Sequence, residues 1–329
     1  MTERVVAVTG ASGGVGRAIA VAFARRGAAV ALLARGEAGL KGAAADVEAA
    51  GGRALVVPLD VAGAEAVEAA AGRVEAELGP IDVWVNNAMS TVFSPFAELG
   101  ADEYRRATDV TYHGTVWGTM AALRRMRPRD AGSIVQVGSA LSYRAIPLQS
   151  AYCGAKFAIR GFTDSLRTEL LAEGSNVRLT MVQLPAVNTP QFGWCRSKLA
   201  RHPRPVAPVF QPEVAARAVV WASEHDRREL TVGFRAVLTI LGAKLSPHTL
   251  DHLLARTGIP GQQMADKPVP GERAGNLDEP CDATEDVGAH GIFGDESYSR
   301  SAQLALNTRF ARRLGGARLL GAALSRVLR

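Results

Sequence analysis

Three side chains between positions 139 and 156 have the types and the spacing that proton transfer requires. Tyr152 and Lys156 lie four residues apart, and on a helix such a pair shares one face. A tyrosine phenol has a reference pKa of about 10, and an adjacent ammonium favours the phenolate and brings that pKa toward the working range. Ser139 carries a hydroxyl that can hydrogen-bond a carbonyl or alcohol oxygen. Taken alone, the tyrosine–lysine pair is more often a partly exposed helix face, so its interpretation depends on the rest of the chain.

The segments around these residues indicate a strand followed by a helix. Residues 133–137 form an apolar, β-branched run that is typical of a buried strand, and residues 155–162 have helical apolar spacing. Short apolar runs alternate with helical segments along the chain, at 5–8, 29–33, 54–57, 83–85, 133–137 and 177–182. This alternation predicts an α/β fold with a doubly wound parallel sheet (Rossmann-like), in a single domain with a C-terminal extension.

The composition of the 329-residue chain restricts its class and compartment. Hydrophobic residues make up 47% and aromatic residues 6%, which suits helices packed on a parallel sheet. The cysteines Cys153, Cys195 and Cys281 have no metal-binding spacing, which argues against a disulfide framework or a metal site and predicts a reducing, cytoplasmic location. Neither a signal-peptide pattern nor a membrane-spanning run is recognised. The net charge of +6 forms no basic stripe with interleaved aromatic residues, so no nucleic-acid partner is expected.

A glycine-rich turn follows the first predicted strand and reads Thr-Gly-Ala-Ser-Gly-Gly-Val-Gly over residues 9–16. Glycines allow the backbone to approach a ligand closely, and the start of the next helix offers free N–H groups to a pyrophosphate. Ser12 stands where the G-x-G-x-x-G pattern has its second glycine. The position of the turn between first strand and first helix nevertheless favours phosphate binding over a plain tight turn.

The end of the second predicted strand indicates which dinucleotide is bound. A site that prefers NAD usually has an acid there to accept from the ribose 2′-hydroxyl, and residues 33–36 include none. Arg35 instead offers a charged fork that suits a 2′-phosphate, the alternative being a solvated loop arginine. We therefore predict NADP(H) rather than NAD(H). Asp60, which closes the third strand, is expected to accept from the adenine amino group or to cap the next helix.

In combination these residues resemble the short-chain dehydrogenase/reductase family over about residues 4–235. The resemblance rests on the glycine turn, on Asp60, on the Asn-Asn-Ala sequence at 86–88, and on Ser139 placed thirteen residues before Tyr152-x-x-x-Lys156. It implies that Tyr152 is the general acid/base, that Ser139 holds the substrate oxygen, and that Lys156 bonds the nicotinamide ribose. It also implies a homo-oligomer that acts on a small carbonyl or alcohol substrate.

The resemblance further identifies the residues expected to bind the cofactor. They are Gly10, Ser12, Gly14, Gly16, Arg35, Asp60, Asn86, Ala88, Tyr152, Lys156 and Thr189. Two departures from the family pattern concern the active site. Thr111 stands where the family commonly has an asparagine, and we expect it to join the catalytic group with the help of water, or turnover to be slow. Met89 replaces a glycine and adds bulk near the site.

The chain is expected to divide into four parts. Residues 1–235 form the catalytic domain, which includes a substrate lid at about 189–212. Phe192 and Trp194 in this lid suggest an apolar substrate, while its arginines either meet an anionic group or face solvent. The remaining parts are a helical extension at 236–257, an acidic, loosely ordered linker at 258–300, and a basic amphipathic tail helix at 301–329.

The predicted function is an NADP(H)-dependent oxidoreductase that transfers a hydride between nicotinamide and a ketone or secondary alcohol of apolar character. Two alternatives stay open. Thr111 and Met89 would suit a catalytically weak or non-catalytic protein that binds dinucleotides or partners. The basic tail would suit a lipid-metabolism oxidoreductase that contacts a membrane peripherally.

Overall fold

Seven parallel strands form the central sheet and confirm the predicted fold class. They are β1 Val5–Thr9, β2 Ala29–Ala34, β3 Arg53–Pro58, β4 Val83–Asn86, β5 Ser133–Ser139, β6 Arg178–Leu184 and β7 Glu229–Thr231. The computed structural model describes residues 3–269 and 271–313 of the chain. Across the sheet the order is β7-β6-β5-β4-β1-β2-β3, so the direction of winding reverses between β1 and β4. In folds of this type, ligands bind at that reversal, outside the carboxyl ends of the strands.

Helices cover both faces of this sheet. They are α1 Gly14–Ala24, α2 Glu37–Ala49, α3 Ala64–Leu78, α4 Ala101–Thr108, α5 Gly114–Met126, α6 Ser150–Ala172, α7 Gln191–Trp194, α8 Pro212–Glu224, α9 Phe234–Leu245, α10 Pro247–Thr257 and α11 Ala302–Arg313. A π-helical turn, Asp109–His113, joins α4 to α5. Such turns are rare in helices and occur frequently at functional sites.

The apolar runs that predict the strands are continuous because both faces of the sheet are buried. Val6 and Val8 point into one core with α1, α2 and α8, while Val5 and Ala7 point into the other with α3 and α5. Successive side chains of a strand alternate between the faces, so every residue of β1 is buried. Burial of each large apolar side chain stabilises the fold by roughly 1.5–3 kcal/mol, which holds the strand ends in fixed positions.

The extension beyond β7 returns to the domain and pairs with the lid. Its helices α9 and α10 fill the segment predicted as helical. The acidic segment that the sequence suggests to be loosely ordered contains a strand, Gln263–Pro268, antiparallel to Arg201–Pro203 of the lid. Further along, Ser297–Tyr298 pairs with Val209–Phe210. The predicted basic tail begins as α11, and its remaining residues, 314–329, lie outside the described residues.

Within the described residues, no helix combines the length and the apolar composition needed to cross a bilayer. The same part of the chain contains no cluster of three or more histidine, cysteine or acidic side chains that would hold a metal ion.

Candidate active site

A cavity of about 1150 Å³ opens where the winding of the sheet reverses. The glycine turn and the ends of β2 and β3 line one end of it, together with Thr189 and Trp194 of the lid, which lie against Gly14 and Gly13. Later lid residues, α9 and α10 line the other end. Ser139, Tyr152 and Lys156 lie on its wall between these two ends. The structure therefore brings the three predicted catalytic side chains together at the middle of one cavity.

The predicted catalytic side chains are positioned by β5 and by the first two turns of α6. Ser139 is the last residue of β5, and its Oγ accepts a hydrogen bond from Leu141 N at 3.1 Å. Lys156 Nζ donates to the carbonyl oxygen of Val137, in the same strand, at 2.7 Å and lies 5.6 Å from the centroid of the Tyr152 ring. The ammonium is thus fixed to the strand that carries Ser139, beside the phenol.

Burial sets the ionisation of this group. Burial raises the pKa of Tyr152 above its ordinary value, although a hydrogen bond with the Ser139 side chain lowers it. Burial also lowers the pKa of Lys156 to about 8. The sequence led us to expect a lowered tyrosine pKa beside an ammonium, but the loss of hydration of the phenolate raises the pKa of Tyr152 instead. At neutral pH Tyr152 is therefore a neutral phenol, the form that can donate a proton.

The glycine turn forms a backbone cradle that only glycine permits. Gly10 and Gly14 have φ of 65° and 54°, which lies in the left-handed region. A Cβ at Gly10 would lie 2.8 Å from Ala88 Cα, and a Cβ at Gly16 would clash with the carbonyl oxygen of Gly10. Ser12 and Gly14 line the cavity beside the start of α1, so the cradle fits a pyrophosphate at a helix N-terminus.

Arg35 and Asp60 line the cavity at the ends of β2 and β3. The Arg35 guanidinium donates to backbone carbonyls of the extension, including Asp278 O at 2.6 Å. Asp60 Oδ1 accepts from Ala62 N at 2.9 Å, and its Oδ2 pairs with Arg106. Burial raises the pKa of Asp60, but the Arg106 guanidinium and the Ala62 N–H bring it below its ordinary value. The following helix, α3, is capped by Gly63, so Asp60 does not serve as its cap.

Asn86 does not face the cavity. Its Oδ1 accepts from Trp84 Nε1 at 2.8 Å, and its Nδ2 donates to Gln136 Oε1 at 2.9 Å and to Thr119 Oγ1 at 3.0 Å. The neighbouring Asn87 lines the cavity instead and donates to Thr9 O at 2.9 Å. Asn87 therefore holds β4 to β1 beside the cradle, and it lines the cavity in place of Asn86, which the sequence analysis names as a cofactor contact.

Thr111 lies away from the cavity as well. It belongs to the π-helical turn and is fully buried. Its hydroxyl accepts from Ser90 N and donates to Ser90 O, both at 3.0 Å. Thr111 thus fixes the loop after β4, and its hydroxyl is already satisfied. Among the other predicted cofactor contacts, Ala88 and Thr189 do line the cavity.

One acid of the domain pairs with two cations of the lid. Glu103, on α4, accepts from Arg196 Nη1 and from Lys198 Nζ, each at 2.9 Å. Burial raises the pKa of Glu103, but Lys198, Arg196 and the N–H of Gly100 together lower it to about 2. These two lid cations are therefore neutralised within the chain, while Phe192 and Trp194 turn toward the cavity.

Part of the segment that the sequence analysis expects to be a loosely ordered linker lies at the end of the cavity that the glycine turn lines. We call residues 276–288 the clasp. Its carbonyls at Asp282 and Ala283 accept from Gly39 N at 3.0 Å and Ala38 N at 3.3 Å, in the first turn of α2. Gly288 O accepts from Gly14 N at 3.3 Å in the glycine turn. No periodic pattern marks the clasp, because its hydrogen bonds reach residues hundreds of positions away.

Comparison with known proteins identifies the family. A sequence profile described as short chain dehydrogenase matches residues 4–199, which is more than half of the chain. The chain belongs to the short-chain dehydrogenase family. It is thus an oxidoreductase of a family that binds a nicotinamide dinucleotide and acts on small molecules.

Individual members of the short-chain dehydrogenase family match different lengths of the chain. The uncharacterized oxidoreductase YxnA of Bacillus subtilis (strain 168) is 31% identical over 305 residues, 92% of this chain and 85% of YxnA. The probable oxidoreductase EphD of Mycobacterium tuberculosis (strain ATCC 25618 / H37Rv) is 42% identical over 188 residues, 57% of this chain but 31% of EphD. The YxnA alignment leaves less than a tenth of this chain outside, so most of the extension is shared with that protein.

A solved structure of the family supports the same fold. It is an alcohol dehydrogenase from the archaeon Thermococcus sibiricus complexed with 5-hydroxy-NADP. It is 29% identical, has a TM-score of 0.61, and covers 70% of this chain and 96% of its own.

Proposed function

We propose that this short-chain dehydrogenase is an NADP(H)-dependent oxidoreductase that acts on a ketone or secondary alcohol of apolar character. The observation that carries the proposal is one cavity lined by both the glycine cradle and the group Ser139, Tyr152 and Lys156. A dinucleotide held in the cradle and a substrate held at the opposite end would meet at these side chains. When bound, the nicotinamide supplies or accepts the hydride.

Each of the three side chains has a distinct task in this proposal. The Tyr152 phenol donates a proton to the oxygen of a ketone as that oxygen gains negative charge. The Ser139 hydroxyl donates a hydrogen bond to the same oxygen and keeps it within reach of the phenol. Lys156 places a cation beside the ring, which stabilises the phenolate that remains after proton donation. Burial keeps the phenol neutral at pH 7, which is the form that donates a proton when a ketone is reduced.

Two observations support NADP(H) as the dinucleotide. Arg35 lies at the end of β2 on the cavity wall, where a permanent charge suits a 2′-phosphate. The solved alcohol dehydrogenase to which this chain is similar was complexed with 5-hydroxy-NADP.

The other end of the cavity supports an apolar substrate. Its lining consists largely of apolar side chains from the loop after β5, from the lid and from α10: Leu141, Ile146, Phe192, Val206, Leu250, Leu253 and Leu254. Two arginines there are paired with acids of the chain, Arg144 with Asp251 and Arg204 with Glu296. Burial of a hydrocarbon substrate against these walls would contribute about 25 cal/mol per Å² of apolar surface.

The proposal is tested by carbonyl reduction with Tyr152→Phe. NADPH consumption is followed with a panel of aliphatic and aromatic ketones, alongside the matched control Tyr104→Phe on α4. We expect Tyr152→Phe to lower kcat by about 10²–10⁴-fold, the range for removal of a general acid, and to leave the dissociation constant of NADPH within about twofold. Tyr104→Phe should retain activity. Equal activity of the Tyr152→Phe and wild-type proteins would refute the assignment.

A homo-oligomer also belongs to the proposal. The outer surfaces of α5 and α6 expose Met120, Phe157 and Leu171, apolar side chains that a second copy could cover. Light scattering of the purified protein measures the mass directly.

A further inference from the structure

The clasp places a carboxylate where a dinucleotide site is most sensitive to the identity of its cofactor. A Cβ on Gly36, which caps α2, would clash with Asp282 Oδ1, and one on Gly39 would clash with Oδ2. The same position at Gly39 lies 3.0 Å from Ser12 Cβ, in the glycine turn. The Asp282 carboxylate thus sits between the end of β2 and the cradle, on the wall of the cavity.

In the part of the chain that the structure describes, one oxygen of this carboxylate is buried without a hydrogen-bond donor. Asp282 is 5% exposed, and within the described residues its Oδ2 has no partner. The clasp is attached through other groups, namely the carbonyls of Asp282 and Ala283 and the ion pair between Asp286 and Arg17. A buried carboxylate oxygen without a partner is unfavourable, and the groups that attach the clasp leave this one unused. A donor on a ligand would satisfy it.

The position matches a requirement of dinucleotide recognition that β2 does not meet. In such folds an acid at the end of the second strand accepts a hydrogen bond from the adenosine ribose 2′-hydroxyl, and residues 33–36 contain none. The clasp brings an acid to that point from a position far along the chain. The same clasp occupies the Arg35 guanidinium, which donates to the carbonyls of Asn276, Leu277 and Asp278.

We propose that Asp282 is the residue that discriminates at the adenosine 2′ position. Its carboxylate accepts from a 2′-hydroxyl and repels a 2′-phosphate, and it therefore opposes the preference that Arg35 provides. The inference rests on the proposed function, because it requires a dinucleotide in the cavity. The preference between NADPH and NADH then depends on two opposing charges, the Arg35 cation of the catalytic domain and the Asp282 anion of the extension.

The test is direct binding of NADPH and NADH to the full chain, by calorimetry in the absence of substrate. The variants are Asp282→Asn, which keeps the size of the side chain, Asp282→Ser, and the control Glu285→Gln, an exposed acid of the same clasp. Thermal melting establishes that each variant is folded. Arg35→Ala is measured beside them.

We expect loss of the charge at Asp282 to shift the ratio of the two dissociation constants toward NADPH by about tenfold or more, since a carboxylate and a phosphate no longer repel each other. Arg35→Ala should shift the ratio toward NADH, and Glu285→Gln should leave it within about twofold. A ratio unchanged in both Asp282 variants, with the wild type binding normally, overturns the inference but leaves the proposed function intact. Failure of the wild type to bind either nucleotide overturns both.

Discussion

Replacement of Glu103 by Gln tests how the lid is held over the active site. The carboxylate accepts from Arg196, from Lys198 at 2.9 Å and from Gly100 N at 2.8 Å, and the side chain is only 10% exposed. Its pKa falls from 4.5 to about 2 in the folded chain. At 1.36 kcal/mol per pKa unit, this decrease corresponds to roughly 3 kcal/mol of stability at neutral pH, as an upper bound. Because water partly screens these ion pairs, we expect Glu103→Gln to lower the free energy of unfolding by about 1–3 kcal/mol.

The assay is urea unfolding of Glu103→Gln and wild type between pH 7 and pH 3.5. Because the folded pKa lies below the unfolded one, the contribution is complete above about pH 4.5 and decreases as the pH falls toward 2. The difference in free energy of unfolding between the wild type and Glu103→Gln should therefore become smaller as the pH is lowered. The control is Asp102→Asn, the adjacent acid, whose side chain is 95% exposed and pairs with Arg105; it should change stability by less than about 0.5 kcal/mol. A loss below 0.5 kcal/mol at pH 7, or one that does not change with pH, would refute the reasoning.

Lys156→Met should alter how the free energy of unfolding depends on alkaline pH. Burial lowers the pKa of Lys156 from 10.5 to about 8, so between these values the unfolded chain binds more protons than the folded chain. The stability of the wild type therefore rises with pH in this range. Urea unfolding at pH 7.5 and 9.5 should show the wild type gaining about 2 kcal/mol relative to Lys156→Met, and no relative gain would contradict the burial argument. Gly16→Ala should weaken NADPH binding at least about tenfold and lower stability by about 1–3 kcal/mol, because its Cβ meets the backbone oxygen of Gly10. Gly161→Ala, on α6 with open space around it, is the matched control and should have neither effect in binding and unfolding assays.

The sequence predicts the sheet and the core of the site because both depend on local patterns. Strands buried on both faces appear as continuous apolar runs, and the ends of parallel strands meet at one edge of the sheet. The glycine turn, Ser139 and Tyr152 each lie within a few residues of such a strand end. Their meeting in one cavity therefore follows once the order of strands and helices is recognised.

Orientation of single side chains is harder to predict than their position along the chain. Asn86 and Asn87 are adjacent at the end of β4, and successive residues face opposite ways, so only one of them can line the cavity. Because both residues are asparagines, the residue type alone does not show which of the two lines the cavity. Thr111 illustrates a second difficulty, because the π-helical turn that contains it inserts an extra residue per turn and rotates the helix face. An ordinary helical projection assigns the wrong face at such a turn.

The ionisation of Tyr152 shows where pairwise reasoning from sequence fails. Spacing predicts that Lys156 shares a helix face with the phenol, and the structure places Lys156 Nζ 5.6 Å from the centroid of the Tyr152 ring. Spacing does not reveal that the whole group is removed from water, which raises the pKa of the phenol and lowers that of the ammonium. Burial is a property of the assembled cavity and acts on both groups at once.

Reaction type and selectivity are encoded in different parts of this chain. The family profile ends at residue 199 and contains the cradle, Ser139, Tyr152 and Lys156, to which we assign the hydride-transfer chemistry in the proposed function. Two segments that line the ends of the cavity follow residue 199 in the chain. One is α10, at the end proposed for the substrate, and the other is the clasp, at the end proposed for the nucleotide. Strand pairs before and after the clasp join the extension to the lid. A substitution in a wall that contacts only the ends of a ligand changes how tightly the ligand binds but does not change the reacting atoms. Substitutions after residue 235 should therefore alter which substrate and cofactor are bound and leave the chemical step intact.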